Sequence, residues 1–178
     1  IMKVIIAIEY AEIHSEQLCL GLQDVSKAYD SVEELSGKEL IMERLGVSAE
    51  FLSLVKRCDG ASKDRVLTAY GLSPGFVSRR GWNQGGEESP TCWVLTYDPL
   101  LKWMDNQMDN NVVMVGREGE LIVWAGVAYA DDGLWASPTL AGLQVKLQGS
   151  VDFFSIIGPD MSMEKTHVCR LGSKLKGE

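Results

Sequence analysis

Residues 127–137 read VAYADDGLWAS, two apolar runs that meet at the adjacent carboxylates Asp131 and Asp132. Apolar residues on both sides of so short a polar tip predict two strands joined as a hairpin. Like-charged neighbours repel, and burying either without a partner costs several kcal/mol. The pair therefore calls for a counter-charge from outside the polypeptide.

Outward from this hairpin, the chain alternates helical and strand periodicities. Met2–His14 places Val4, Ile5, Ile8 and Ala11 near one face of a helix. Leu18, Leu20 and Leu22 then alternate as in a strand that ends at Asp24, and a helix follows from about Ser26 through Tyr29 and Val32. Residues 38–57 (KELIMERLGVSAEFLSLVKR) predict two helices broken at Gly46, with Ser48 as N-cap of the second. RVLTAY is a strand candidate before the turn-rich GLSPG. Ser89–Met104 reads as a helix with Pro90 in its first turn and a kink or break at Pro99. ELIVWAGVAYA and GLWAS are the hairpin strands, TLAGLQVKLQGSVDFFSII is helical, and MEKTHVCRL returns to strand. Interspersed helices and strands with a hairpin predict an α+β fold, an antiparallel sheet with helices packed on one face.

Composition narrows the function classes. The 178 residues are 46% hydrophobic and 24% charged, ordinary globular proportions for one domain or a large piece of something bigger. No apolar run approaches a membrane span and no secretory leader precedes the first helix, so an intracellular protein, nuclear or cytoplasmic, is expected. A chain starting at Ile1 reads as part of a longer polypeptide. Cys19, Cys58, Cys92 and Cys169 form no CxxC pair, and His14 and His167 are far apart, which predicts reduced, mostly buried thiols rather than a zinc site. A net charge of −8 argues against strong nucleic-acid binding by this chain alone, although Arg79 and Arg80 are adjacent and Lys165, Arg170, Lys174 and Lys176 cluster late.

Asp24 and the Asp131–Asp132 pair both fall where a strand gives out. On neighbouring strands these three carboxylates converge at one sheet edge, and they could not all stay ionised without cations. Mg²⁺ suits such a set because it takes carboxylates together with phosphate oxygens, and two ions make the clamp used in nucleotidyl transfer. The competing reading makes Asp24 a helix cap and the pair a tight turn. Asp24 also shares parity with Leu18, Leu20 and Leu22, which would aim it at the core unless the strand ends or bulges there.

Taken together, LQDVSKAYDSV (22–32), RGWNQGGEESPTCWVLTYDPLL (80–101) and VAYADDGLWAS resemble, in order, the three central palm motifs of reverse transcriptases. The likeness is to non-LTR, LINE-type retrotransposons, and MSMEKTHV resembles the motif that follows. The resemblance implies a polymerase palm with part of the fingers across residues 1–178, the thumb and most of the fingers lying elsewhere. It implies an RNA-directed DNA polymerase that adds dNTPs to a DNA primer 3′-OH on an RNA template with two Mg²⁺ ions, Mn²⁺ being a possible substitute. Asp24 and Asp131 match the metal-binding aspartates and Asp132 their neighbour. Tyr29 matches the aromatic flooring the sugar pocket, Gln84 and Gly85 the loop against nucleotide and template, and Lys165 the lysine near the triphosphate. Arg80 could add a phosphate contact.

The chain departs from the pattern at Ser162, where an Asn is frequent, at Glu87 and Glu88, and at Cys92 and Trp93, where a Leu–Phe pair is frequent. The resemblance leaves the phosphate-gripping surfaces, and any endonuclease, to other parts of the parent polyprotein, which would account for the acidic balance. The alternative function is a non-catalytic palm-like domain from a decayed or domesticated element; an unrelated Mg²⁺-dependent phosphoryl-transfer enzyme is a third.

Overall fold

The computed structural model describes residues 2–33, 38–61, 63–77, 80–82 and 89–172. The first apolar run closes into α1 (Met2–His14), whose buried face carries Ala7 and Ala11, flanked by the half-buried Val4 and Ile8. Ile5, expected on that face, is exposed, because it lies about 110° round the helix from the stripe of Val4, Ala7, Ile8 and Ala11. β1 (Leu18–Ser26) runs two residues past Asp24, so the expected strand end does not occur there. A left-handed Lys27 (φ 49°) turns the chain into α2 (Ala28–Ser31), a single helical turn.

α3 (Leu40–Arg44) and α4 (Ala49–Ala61) are separated at Gly46 as expected, and the Ser48 hydroxyl accepts from the Phe51 amide as the N-cap. The RVLTAY candidate supplies only β2 (Leu67–Thr68), paired with β3 (Gly71–Leu72) in a small exposed hairpin. α5 (Ser89–Asp105) continues through Pro99 without a break. An internal proline costs about 3 kcal/mol. Trp93, Tyr97, Leu100 and Met104 are buried on both sides of it, and each contributes roughly 1.5–3 kcal/mol. Burial therefore outweighs the lost hydrogen bond.

β4 (Val112–Val115) pairs with β5 (Leu121–Trp124), whereas β6 (Gly126–Tyr129) pairs with β7 (Asp132–Ser137). The apolar run 120–130 is thus two strands of different sheets, not one hairpin arm. The switch falls at Ala125, where the carbonyl accepts from Ala136 N instead of continuing the β4 ladder. A Cβ on Gly126 would stand 2.4 Å from the Leu134 carbonyl oxygen, so only glycine permits this crossing. Thr139 caps α6 (Leu140–Ile157) by accepting from Gly142 N at 3.0 Å, and β8 (Asp160–Leu171) completes the chain.

The main sheet has the order β6-β7-β1-β8 and every pairing is antiparallel, which bears out the expected α+β class. One face carries the larger core, in which Cys19 and Val25 of β1 and Trp135 of β7 meet Trp93, Tyr97 and Leu100 of α5 and Leu143 and Phe154 of α6. The opposite face carries a smaller cluster of Leu18, Leu20, Ala136, Ala7, Ala11, Val112, Met114 and Trp124. The alternating leucines of β1 face this second cluster, which ends before Leu22. Asp24 therefore shares their parity and still lies outside a core. Cys19 and Cys92 are buried as expected, whereas Cys58 and Cys169 are exposed; all four are free.

Lys146 is fully buried on the inner face of α6, and its ammonium donates to the carbonyls of Ala125 (3.1 Å) and Ala136 (2.5 Å). It ties the helix to the point where the chain changes sheets. Burial lowers its pKa to about 8, with Asp105 acting weakly in the other direction. Below that value the folded protein carries the whole cost of a buried charge. As pH rises from about 8 towards 10.5, the unfolded chain holds the proton that the folded chain releases, so stability rises. Urea titrations between pH 7.5 and 10 should show the stability of the native chain gaining on that of Lys146→Met by on the order of 2 kcal/mol. A constant difference between the two would contradict this origin.

Candidate active site at the β1–β7 edge

Register on β7 sets Asp24 directly opposite Asp132, in the pairs Gln23↔Gly133 and Asp24↔Asp132. Tyr129 pairs with Asp132, so the two residues of the hairpin turn are Ala130, at φ 51°, and Asp131. Asp131 thus stands in the turn and Asp132 opens the strand, so strand alternation does not separate their directions. The Asp131 carbonyl accepts from Val25 N at 3.0 Å, which binds the turn to β1 just after Asp24. Like charges directly opposed across a ladder destabilise it.

The bulge anticipated near Asp24 lies in the partner strand. Leu22 pairs with His167 but Asp24 with Ser162, so two steps along β1 span five along β8. Thr166 Oγ1 donates to the Ser162 carbonyl across the bulge (2.9 Å), and the looped-out stretch contains Lys165. Its ammonium donates to both carboxylate oxygens of Asp24, at 3.2 and 3.0 Å. The Asp24 bonds and charge, with Asp131 and Asp132 behind them, hold the Lys165 pKa above the ordinary lysine range. The Asp24 side chain is 16% exposed and that of Lys165 68%. A protein cation therefore faces Asp24, but from solvent rather than from the core.

Two aromatic residues of α5 back the hairpin tip. The Trp93 indole N–H donates to the Ala130 carbonyl at 2.7 Å, holding the residue before Asp131 in its left-handed conformation. Burial, then the charges of Asp131 and Asp132, push the Tyr97 phenol above its ordinary pKa, so it stays protonated beside them. Neither contact is legible in the spacing of the motifs, although Trp93 is one of the positions at which the chain departs from the reverse-transcriptase motifs it resembles. A buried amide, Gln23, lies beneath the carboxylates and was also missed: as a polar residue inside an apolar strand it was the one available signal.

The remaining expected residues are distributed as follows. Tyr29 is half-buried, its ring 5.3 Å from that of Trp93. Arg80 forms an ion pair with Glu33 at 2.7 Å. Trp82 N donates to the Tyr29 carbonyl at 2.6 Å, which brings the start of the second motif against the end of the first. Gln84 and Gly85 lie outside the described residues, as do Glu87, Glu88, Arg79, Lys174 and Lys176.

Asp24, Asp131 and Asp132 are hard oxygen donors, the class that suits Mg²⁺. Among the described residues, however, no group of three or more His, Cys, Asp or Glu side chains is placed so that it could hold a metal ion. A separate cleft of about 560 Å³ lies along β6, lined by residues including Leu101, Met104, Trp124 and Trp135. It contains none of the three aspartates, which stand instead at an open sheet edge.

Over 160 residues, 90% of its length, the chain is 28% identical to the Retrovirus-related Pol polyprotein from type-2 retrotransposable element R2DM of Drosophila melanogaster. The chain is related to a retrotransposon Pol polyprotein. It spans 14% of that protein's length. No protein-family model matches. Among solved structures, apo telomerase from Candida tropicalis, truncated from its C-terminal domain, aligns with a TM-score of 0.62 at 13% identity, over 98% of this chain and 35% of that one. Telomerase from Candida albicans with a fragment of telomeric RNA gives 0.63 at 14% identity, over 99% of this chain and 30% of that one. The palm-like fold is thus shared with telomerase. No described helix is long and apolar enough to cross a membrane.

Replacing Trp93 by Phe keeps the ring packing and removes the donor to Ala130. It should cost about 1 kcal/mol in urea unfolding and speed amide exchange at residues 130–132. Exchange unchanged there would show that the indole does not hold the turn.

Proposed function

We propose that residues 1–178 form the palm, with part of the fingers, of an RNA-directed DNA polymerase from a non-LTR retroelement. It adds dNTPs to the 3′-OH of a DNA primer on an RNA template. The observation that carries this reading is the register that sets Asp24 opposite Asp132, one residue from Asp131, in a chain related to a retrotransposon Pol polyprotein. The likeness to telomerase, one structure of which is complexed with telomeric RNA, supports the RNA template.

Asp24 and Asp131 are the ligands for two Mg²⁺ ions, with Asp132 completing the carboxylate set. When bound, the metal pair, replaceable by Mn²⁺, would supply Lewis acidity for ionising the primer hydroxyl and for charge on the leaving pyrophosphate. Lys165, held at the carboxylates by the β8 bulge, turns its ammonium to the triphosphate and can give a proton to the departing pyrophosphate. The Tyr29 ring floors the sugar pocket and would clash with a ribose 2′-OH, favouring deoxynucleotides. Gln84 and Gly85 approach nucleotide and template, and Arg80 reaches a phosphate once it exchanges its Glu33 partner. Remaining fingers, thumb and any endonuclease of the parent polyprotein supply the basic surfaces that a chain of net charge −8 lacks. The working compartment is intracellular, nucleus or cytoplasm.

In the parent polypeptide, Asp131→Asn should lower Mg²⁺-dependent dNTP incorporation on a primed RNA template by about 10²-fold or more while the circular dichroism spectrum is unchanged. Undiminished incorporation would refute the metal assignment. A native parent inert under the same conditions would favour the non-catalytic palm.

A further inference from the structure

The geometry points to Gln23 as a positioning residue for the carboxylate pair, an inference that rests on the proposed nucleotidyl-transfer site. Gln23 immediately precedes Asp24 on β1 and is 2% exposed. Successive strand residues point to opposite faces, so its side chain enters the larger core while that of Asp24 faces the site. Its Oε1 accepts from the Trp135 indole at 2.7 Å and from the Ser150 hydroxyl, and its Nε2 donates to the Leu147 carbonyl at 3.3 Å. An indole N–H can only donate, so the atom facing Trp135 must be the amide oxygen, and the amide nitrogen is thereby turned towards α6. One side chain joins β1, β7 and α6 directly beneath Asp24 and Asp132.

Gly133, the cross-strand partner of Gln23, makes this join possible. A Cβ there would stand 3.0 Å from Trp135 Cζ2 and 3.1 Å from the Tyr97 hydroxyl. The absent side chain leaves the space through which the indole reaches back under the ladder to Gln23.

The consequence concerns register. A slip of one residue between strands exchanges their two faces and would turn Asp24 inward and Gln23 outward. The facing charges of Asp24 and Asp132 oppose the correct register, and the β8 bulge removes ladder hydrogen bonds on the other side of β1. The buried amide counters both, because a slip that turns Gln23 outward leaves the buried Trp135 indole N–H without its acceptor, although the Ser150 hydroxyl keeps the Leu147 carbonyl. It also holds Asp24 at a constant separation from the Asp131–Asp132 tip, with which it would share a cation. Outer contacts that orient metal ligands are worth about 10- to 100-fold in affinity.

Mn²⁺ is the probe. In the 178-residue chain, broadening of the backbone amide signals of Asp24, Asp131 and Asp132 is followed by NMR during titration with Mn²⁺. In the native chain the three should broaden together. Gln23→Met should need about tenfold more Mn²⁺ to broaden Asp24. Trp135→Phe, which retains the ring and one of the two donors to Gln23, should move the same way by less, and it carries the comparison if Gln23→Met does not fold. In the parent polypeptide the same variants should lower kcat about tenfold with KM for dNTP unchanged. Folded variants that melt lower yet keep native Mn²⁺ response and native kcat would reduce Gln23 to a structural residue and overturn the positioning role alone. A native chain whose three signals do not respond to Mn²⁺ would overturn the metal site itself, and the positioning role with it.

Discussion

The antiparallel pairing of β1 with β7 brings two aspartates from distant parts of the chain, Asp24 and Asp132, face to face at the open edge of the sheet. This contact is unfavourable in itself, since like charges opposed across a ladder repel. The surrounding structure concentrates its polar resources there. Trp93 holds the turn through Ala130, Gln23 ties the two strands to α6, and Lys165 reaches Asp24 from the β8 bulge. A fold that assembles repelling carboxylates and then braces them from three directions spends stability on holding these side chains together.

The sheet separates two unequal cores, and that division explains why the site is open. Helices α5 and α6 seal one face, with the Trp93, Tyr97 and Phe154 rings packed within 5.4–6.3 Å of one another. On the other face, α1 and the β4–β5 hairpin cover only the half of the sheet near Leu18 and Leu20. Leu22 and Asp24 lie beyond this cover. Lys146 secures the changeover at Ala125, where the chain leaves the small sheet for the large one. A buried ammonium is a costly pin, and its two backbone acceptors are the reason it is tolerated.

Much of this was legible from residue order. Helices α1, α5 and α6 follow their apolar spacing, and the Gly46 break and the Ser48 cap are local chemistry that needs no partner. Errors arose where two local signals competed or where the deciding contact was remote. Pro99 suggested a break, but a continuous buried stripe outweighed it. The run 120–130 looked like one strand because periodicity cannot reveal that half of it hydrogen-bonds to β4 and half to β7. Leu18 and Leu20 do face a core, but alternation cannot show that this core ends before Leu22 and Asp24.

The sequence by itself determined that Asp24, Asp131 and Asp132 end or interrupt apolar runs, that they occur in the order of a polymerase palm, and that Lys165 follows. Those properties are read from short stretches and their order along the chain. Tertiary structure alone decided that Asp24 meets Asp132 rather than Asp131, that the bulge falls in β8, and that Gln23 is the residue turned inward. Each of these is a cross-strand relation between segments roughly a hundred or more residues apart, set by register, and register is chosen by the whole sheet and the helices packed on it.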